Sequence, residues 1–433
     1  MTFNLAGRAA LAATLGRVTG ALAVGLLLVI TASNAAAENW PQYRGPGGQG
    51  VSAEKGLPAK WGAGGGVRWK TRLPGPGHSS PIVWGDHIFL TAYAPAGEAG
   101  RGRLLALCID KLTGKILWER EVRVGQVERV GGANAPATPT PVTDGRRVYV
   151  YFGSYGLVCF DFEGRKVWER PLGPCGGEFG SASSPVLHGR LLVLSCTSDS
   201  DGFLLAADKE TGRTVWRTPH AQPTLSFATP FVWKTGAGHQ LVLAVSGHVK
   251  GFDPGTGREL WRVGGVPKGV APTPASAHGL LYAASNSQPN FIIAIRPGGQ
   301  GDITATHVAW RYDKGAVSVP SPLVIGDHLF ALRDGGIMTC LDARSGAVVW
   351  QQRLPARGNY FASPVTGDGK IYAINEEGEV TVIAAKSVFE LIATNSMGER
   401  AMASPAISGG SIFIRTDENL YRVEVARGDA VGR

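Results

Sequence analysis

The chain has 433 residues, of which 44% are hydrophobic and 18% charged, and a formal net charge of +9. Lys and Arg are scattered among Asp and Glu in clusters no longer than Arg101 to Arg103 or Arg146 to Arg147, which is a solvated surface rather than a nucleic-acid stripe. Five cysteines are an odd number and a small one.

The first 37 residues read as a secretory signal peptide: Arg8 and Arg17, an apolar run from Ala21 to Ile30, then a small-residue site ending at Ala37. Val18 to Ala37 is too diluted with Gly, Thr, Ser and Asn for a membrane span, so the mature chain is expected to have no transmembrane segment and to be periplasmic or secreted. Cleavage would remove two arginines and leave +7. Residues 38–65 are expected to be a flexible lead-in. Its GPGGQG, Gly45 to Gly50, fits G-x-G-x-x-G, but without a preceding strand and a following helix it cannot cradle a dinucleotide.

Residues 66 to 75, GVRWKTRLPG, look like the end of a unit whose beginning is missing. Complete units follow. A Ser or Thr before Pro recurs at Ser80, Thr140, Ser184, Thr229, Thr273, Ser321, Ser363 and Ser404, spaced 41 to 48 residues apart after a first interval of 60. Each copy continues as two apolar runs joined by a tight turn, as in PIVWGDHIFLTAY, which predicts a β-hairpin. A third strand such as LLALCID leads through an Asp-to-Gly turn into a fourth that carries Trp: DKLTGKILW, DKETGRTVW, DPGTGRELW, DARSGAVVW. Four antiparallel strands every forty-odd residues predict an all-β fold, an eight-bladed β-propeller spanning 66–425, with a tail at 426–433. Ser404 has only three strands after it, so Trp69 is expected to supply the fourth and close the ring with an N-terminal strand.

The D-x-x-T-G-x-x-x-W pattern at Asp110 to Trp118, Asp208 to Trp216 and Asp253 to Trp261 resembles the pyrroloquinoline-quinone (PQQ) repeat, and NWPQYRGPGGQGVS resembles the mature start of exported bacterial propellers of that family. The resemblance covers about 350 residues. It implies that Trp69, Trp118, Trp168, Trp216, Trp261, Trp310 and Trp350 dock one blade on the next, with Phe389 standing in on the seventh. Quinoprotein alcohol dehydrogenases share the repeat. They resemble one another in adjacent cysteines over the quinone and in a Glu, Asn and Asp calcium set; no two cysteines are adjacent here, and no C-x-x-C-H is present. The expected function is therefore a non-catalytic binding or scaffold propeller of the cell envelope with no cofactor, acting as a monomer on an envelope protein or small ligand. A relative with that reading is the lipoprotein of outer-membrane β-barrel assembly, from which this chain departs in lacking a cysteine before Cys108. The alternative is a PQQ-dependent alcohol or sugar dehydrogenase holding PQQ with calcium.

Other chemistry finds little support. Asp199 and Asp201 in SDSDG are too few oxygens for calcium. His87, His188, His278 and His328 fall at equivalent turns of different blades, where exposed, separated rings are expected, and no H-x-x-x-H offers a zinc site. Cys108, Cys159 and Cys340 occupy a position that takes Ala or Gly in other repeats, so they read as small buried groups, and Cys175 and Cys196 are left either free or paired. No catalytic residue or metal ligand is assigned. The residues just before each Ser/Thr-Pro should gather at one mouth of the central channel, and His78, Asn134, Glu178, Phe227, Lys268, Tyr360 and Met402 are the candidate ligand contacts.

Overall fold

The computed structural model describes residues 38–426, apart from 63–64, 97–100, 129, 132–133, 178, 198–201, 221–225, 286–289, 315–316 and 318. The signal peptide, Glu178, Asp199 and Asp201 lie outside the described residues.

The repeated apolar runs form eight sheets built on four antiparallel strands, one of which gains a short fifth strand, and the first strands of neighbouring blades meet around a central channel. The first blade is Ile82–Trp84, His87–Pro95, Gly102–Asp110 and Ile116–Val122. The eighth is Ala406–Ser408, Ser411–Arg415, Asn419–Val423 and then Val67–Arg72, which pairs antiparallel with Asn419–Val423. The ring thus closes with the N-terminal strand outermost in the last blade. Glu399 holds this join. Its carboxylate accepts bonds from Lys70 at 2.6 Å, Tyr421 at 2.6 Å and Asn419 at 2.9 Å, with Thr416 as a further donor.

The Trp pattern has a mechanical cause. In blade after blade the fourth strand carries a β-bulge just before its Trp, opposite the position that takes Cys or Ala: Cys108 faces Trp118, Cys159 Trp168, Ala206 Trp216 and Cys340 Trp350. A bulge increases local twist and re-aims the side chain. The indole turns onto the turn before the fourth strand of the next blade, in most blades an Asp-to-Gly turn, and its Nε1 donates to a turn carbonyl there: Trp69 to Lys111, Trp118 to Phe162, Trp168 to Lys209, Trp216 to Pro254, Trp310 to Ala343 and Trp350 to Lys386. The turn glycine must lack a side chain: a Cβ on Gly164 would stand 2.8 Å from Trp118, and one on Gly212 2.7 Å from Trp168. Asp110 shapes its turn by accepting from Thr113 N and Oγ1, both at 2.7 Å.

Trp261 departs from the expected docking. It is buried in the core between blades four and five, but its Nε1 donates to Gln240 of its own blade at 2.8 Å. The reason lies on both sides of it. The facing position in its own sheet is Gly251, where a Cβ would meet the indole at 2.2 Å, so only here can the ring lie back on its own strand. The fifth blade has also lost the Asp-to-Gly turn, and Gly301–Asp302 instead adds a short parallel strand beside Trp261 and Arg262. Phe389 does not replace Trp in the seventh blade either; it packs back on Trp350, ring centroids 5.4 Å apart.

The Ser/Thr before each proline forms the innermost ring. Its main-chain N–H donates to the hydroxyl of the corresponding residue in the next blade, from Ser80 to Thr140 at 2.9 Å and so on round to Ser363 and Ser404 at 2.9 Å. Arg415 crosses the remaining seam, its Nη1 donating to Ser79 O at 3.0 Å and Ser79 Oγ at 2.6 Å.

The expected flexible lead-in is instead built into the fold. Trp40 and Arg44 are fully buried. Trp40 exchanges two main-chain bonds with Val83, Arg44 donates to Pro322 O at 2.5 Å, Gln49 bonds Ser276, and Gly50 and Ser52 pair with Thr366. Arg44 and several glycines here, among them Gly47 at φ 63°, take the left-handed conformation, so the glycine run lets the chain fold tightly across one face of the ring. The four turn histidines are half-buried rather than exposed, because hairpins lean on their neighbours: His87 packs at a tilt against Phe162 and His188 against His239. Cys175 and Cys196 form a disulfide, while Cys108, Cys159 and Cys340 are free and buried. Among the described residues no helix is long and apolar enough to cross a membrane.

Candidate functional site

Because side chains alternate along an extended strand, the residue two before each ring Ser/Thr points the same way as that Ser/Thr, into the channel. These are His78, Thr138, Ala182, Phe227, Ala271, Val319, Phe361 and Met402, and all eight line one cavity of about 520 Å³. A second tier at the rim adds Asn134, Phe179 and Lys268. On the far side the lead-in closes the channel with Tyr43, whose hydroxyl meets Ser363 Oγ at 2.9 Å. The cavity is a blind bowl.

Five of the seven expected contacts therefore come together: His78, Asn134, Phe227, Lys268 and Met402. Tyr360 does not join them. It is fully buried between blades six and seven with its hydroxyl on Ala356 O at 3.2 Å, and its neighbour Phe361 lines the bowl in its place. The expectation missed by one residue, which in a strand reverses the face. Counting back two from each Ser/Thr would have found Phe361 and Val319. Phe179 and Tyr43 were missed for another reason. Phe179 belongs to a loop placed by the disulfide, and nothing in its local spacing signals the channel; Tyr43 lies in a segment outside the repeat.

The bowl is aromatic and weakly polar. Phe179 and Phe227 meet edge to face with centroids 6.2 Å apart. Asn134 Nδ2 donates to Phe179 O at 2.5 Å, which ties the rim loops of adjacent blades. Burial, with Arg415 and Arg400 nearby, holds His78 down to about 3, so its imidazole is neutral in ordinary conditions. Behind the Phe179 loop, burial pushes the Glu128 carboxyl up to about 8. No described residue lining the bowl is a carboxylate, and no three His, Cys, Asp or Glu among the described residues are grouped to hold a metal. The donor set that would hold PQQ with calcium is not matched by the described lining, and the disulfide joins cysteines 21 residues apart rather than adjacent ones.

A family model described as outer membrane protein assembly factor BamB matches residues 47–174, 107–300 and 200–431. The outer membrane protein assembly factor BamB of Moranella endobia is 24% identical over 302 residues, covering 66% of this chain and 74% of the relative. Among solved structures, BamB from Moraxella catarrhalis superposes with a TM-score of 0.60 at 14% identity, over 83% of this chain and 98% of that one. A europium-containing methanol dehydrogenase reaches 0.54 at 11% identity, over 88% and 90%. At such identities the structural likeness speaks for the propeller and not for the chemistry done on it.

Proposed function

This chain belongs to the BamB-like family of PQQ-repeat β-propellers, and from that premise we propose that it is a non-catalytic binding propeller of the cell envelope that holds a protein partner at its bowl. The observation that carries the proposal is the bowl itself. It is blind, walled by Phe179, Phe227, Phe361 and Met402, floored by ring Ser and Thr residues, and carries Lys268 and a neutral His78. Such a surface seats an inserted apolar side chain and orients it at the rim, the division of labour of a recognition pocket. The names of the relatives point to outer membrane protein assembly as the setting. The disulfide favours an oxidising compartment, as expected of an exported protein.

A photoreactive residue at Phe227 tests this in living cells. The expected result is a cross-link to a specific envelope protein, with binding of that purified protein lost in Phe227→Arg. Incubation with PQQ and Ca²⁺ gives the opposing arm: a bound quinone spectrum with dye reduction by alcohols or sugars overturns the proposal.

A further inference from the structure

On the face opposite the bowl, a second cavity of about 500 Å³ lies between the lead-in and blades two to four. It shares Tyr43, Thr229 and Thr273 with the bowl, and the rest of its walls are its own. What the lead-in does elsewhere on this face shows how that space can be filled. The third residue beyond each ring Ser/Thr sits at the inner edge of its blade. In blade one this is Val83, which exchanges N–H and C=O bonds at 2.8 Å with Trp40; in blade seven it is Thr366, which donates to Gly50 O and accepts from Ser52 N, both at 2.8 Å. Thr143 of blade two donates to Pro41 O, and Ser276 N of blade five bonds the Gln49 side chain. The chain thus adds its own backbone to three inner edges and a side-chain amide to a fourth.

Blades three and four present the same edge uncovered. Leu187 pairs with Leu192 just as Val83 pairs with Ile88, and Val232 holds the same place counted from Thr229. In an antiparallel pair the main-chain groups of such a residue alternate outward, away from the partner strand. Among the described residues nothing bonds the outward groups of Leu187 or Val232, and both residues line the second cavity, half-exposed. The cavity lining is also net positive, by one lysine. Lys209 is paired with Asp144, but Lys234 is exposed with no ion pair among the described residues, and His239 stands beside it.

We infer that the inner edges of blades three and four are a second binding site, which takes an extended, acidic peptide segment of a partner by main-chain pairing with Leu187 and Val232. The apolar walls receive alternate side chains of the segment, and Lys234 meets a carboxylate. This is strand addition to an open edge, in which main-chain bonds give affinity and flanking side chains give selectivity. It does not use Phe227, which lines the bowl alone.

The test is selection of a short-peptide display library on the full-length protein, followed by binding of the enriched peptides to Lys234→Glu and to Phe227→Arg. The expected peptides carry Asp or Glu among alternating apolar residues, bind Lys234→Glu about tenfold or more weakly, and bind Phe227→Arg as tightly as the parent. Methylating alternate backbone nitrogens of a selected peptide should abolish its binding, whereas an apolar pocket alone would tolerate the change. No enrichment, or peptides that bind Lys234→Glu undiminished, or peptides lost with Phe227→Arg instead, would overturn the second site. The last of these outcomes would leave the bowl standing.

Discussion

Trp69 of the outermost strand in the last blade rests on Gly114 of the first, close enough that a Cβ there would stand 2.7 Å from the indole, and its Nε1 donates to Lys111 O at 3.1 Å. Two residues at opposite ends of a blade order thus make the contact that shuts the ring. Trp69→Ala should cost about 2–4 kcal/mol, somewhat less than a fully buried aromatic, since Trp69 is half-exposed. Gly114→Val should cost a similar amount by a different route, since it both clashes with the indole and places a β-branched residue at φ 76°. Urea unfolding measures both; midpoints unchanged from the parent would mean that this contact does not hold the seam.

The same seam should respond to acid. Burial alone would raise the Glu399 carboxyl, but bonds from Lys70, Thr416, Tyr421 and Asn419 outweigh it and hold the group at about 2. Its folded value lies below the ordinary value of about 4.3, so its stabilising contribution is fully present above that pH and is lost as pH falls toward 2. Unfolding midpoints followed from pH 6 to about pH 2 should fall more steeply for the parent than for Glu399→Gln. Parallel curves would show that the carboxylate gains nothing from its neighbours.

Removing the disulfide as Cys175→Ser with Cys196→Ser should destabilise by about 3 kcal/mol on the loop-closure estimate for its 21-residue separation. Because this bond anchors the loop that carries Phe179, the double variant should also weaken binding at the bowl more than it changes the far-ultraviolet circular dichroism. Equal affinity in the two proteins would place Phe179 outside the recognition surface.

The lead-in gives the sharpest contrast with its sequence. Trp40→Ala should cost about 3–5 kcal/mol, as for a buried core aromatic, although Trp40 lies outside every repeat. Limited proteolysis offers a second readout. The parent should resist cleavage between residues 40 and 58, and rapid cutting there would show the segment to be a tether after all.

What could be read from the sequence is what repeats. The hairpins recur in all eight blades, the Trp in seven and the Asp-to-Gly turn in five, and the Trp missing from the last C-terminal unit was visible as the orphaned strand around Trp69. The site was half legible. The channel-facing position follows from alternation, yet the choice of Tyr360 over Phe361 shows that proximity to a motif is weaker than parity along a strand. Arg44, Tyr43 and Trp40 were unreadable for the opposite reason. A single segment that meets many blades at once carries no period, and its glycines look like slack when they are what allows close packing. Trp261 lies between these cases, since its motif is intact and only the glycine opposite it, and the altered turn ahead of it, change where the indole goes.

The inner ring of Ser and Thr has a further meaning. Six of the eight, from Thr140 round to Ser363, give the main-chain N–H to one neighbour and receive the other neighbour's N–H on the hydroxyl, so donor and acceptor reside in the same residue. Such a unit is a head-to-tail connector, the heterologous interface that generates closed rings when its rotation permits. A blade copied within the gene arrives already able to join its neighbours on both sides. The hydroxyl link is the same at each of these seven joins, so it does not by itself fix the number of blades, and a propeller of this kind can gain or lose a blade without inventing a new contact at those joins.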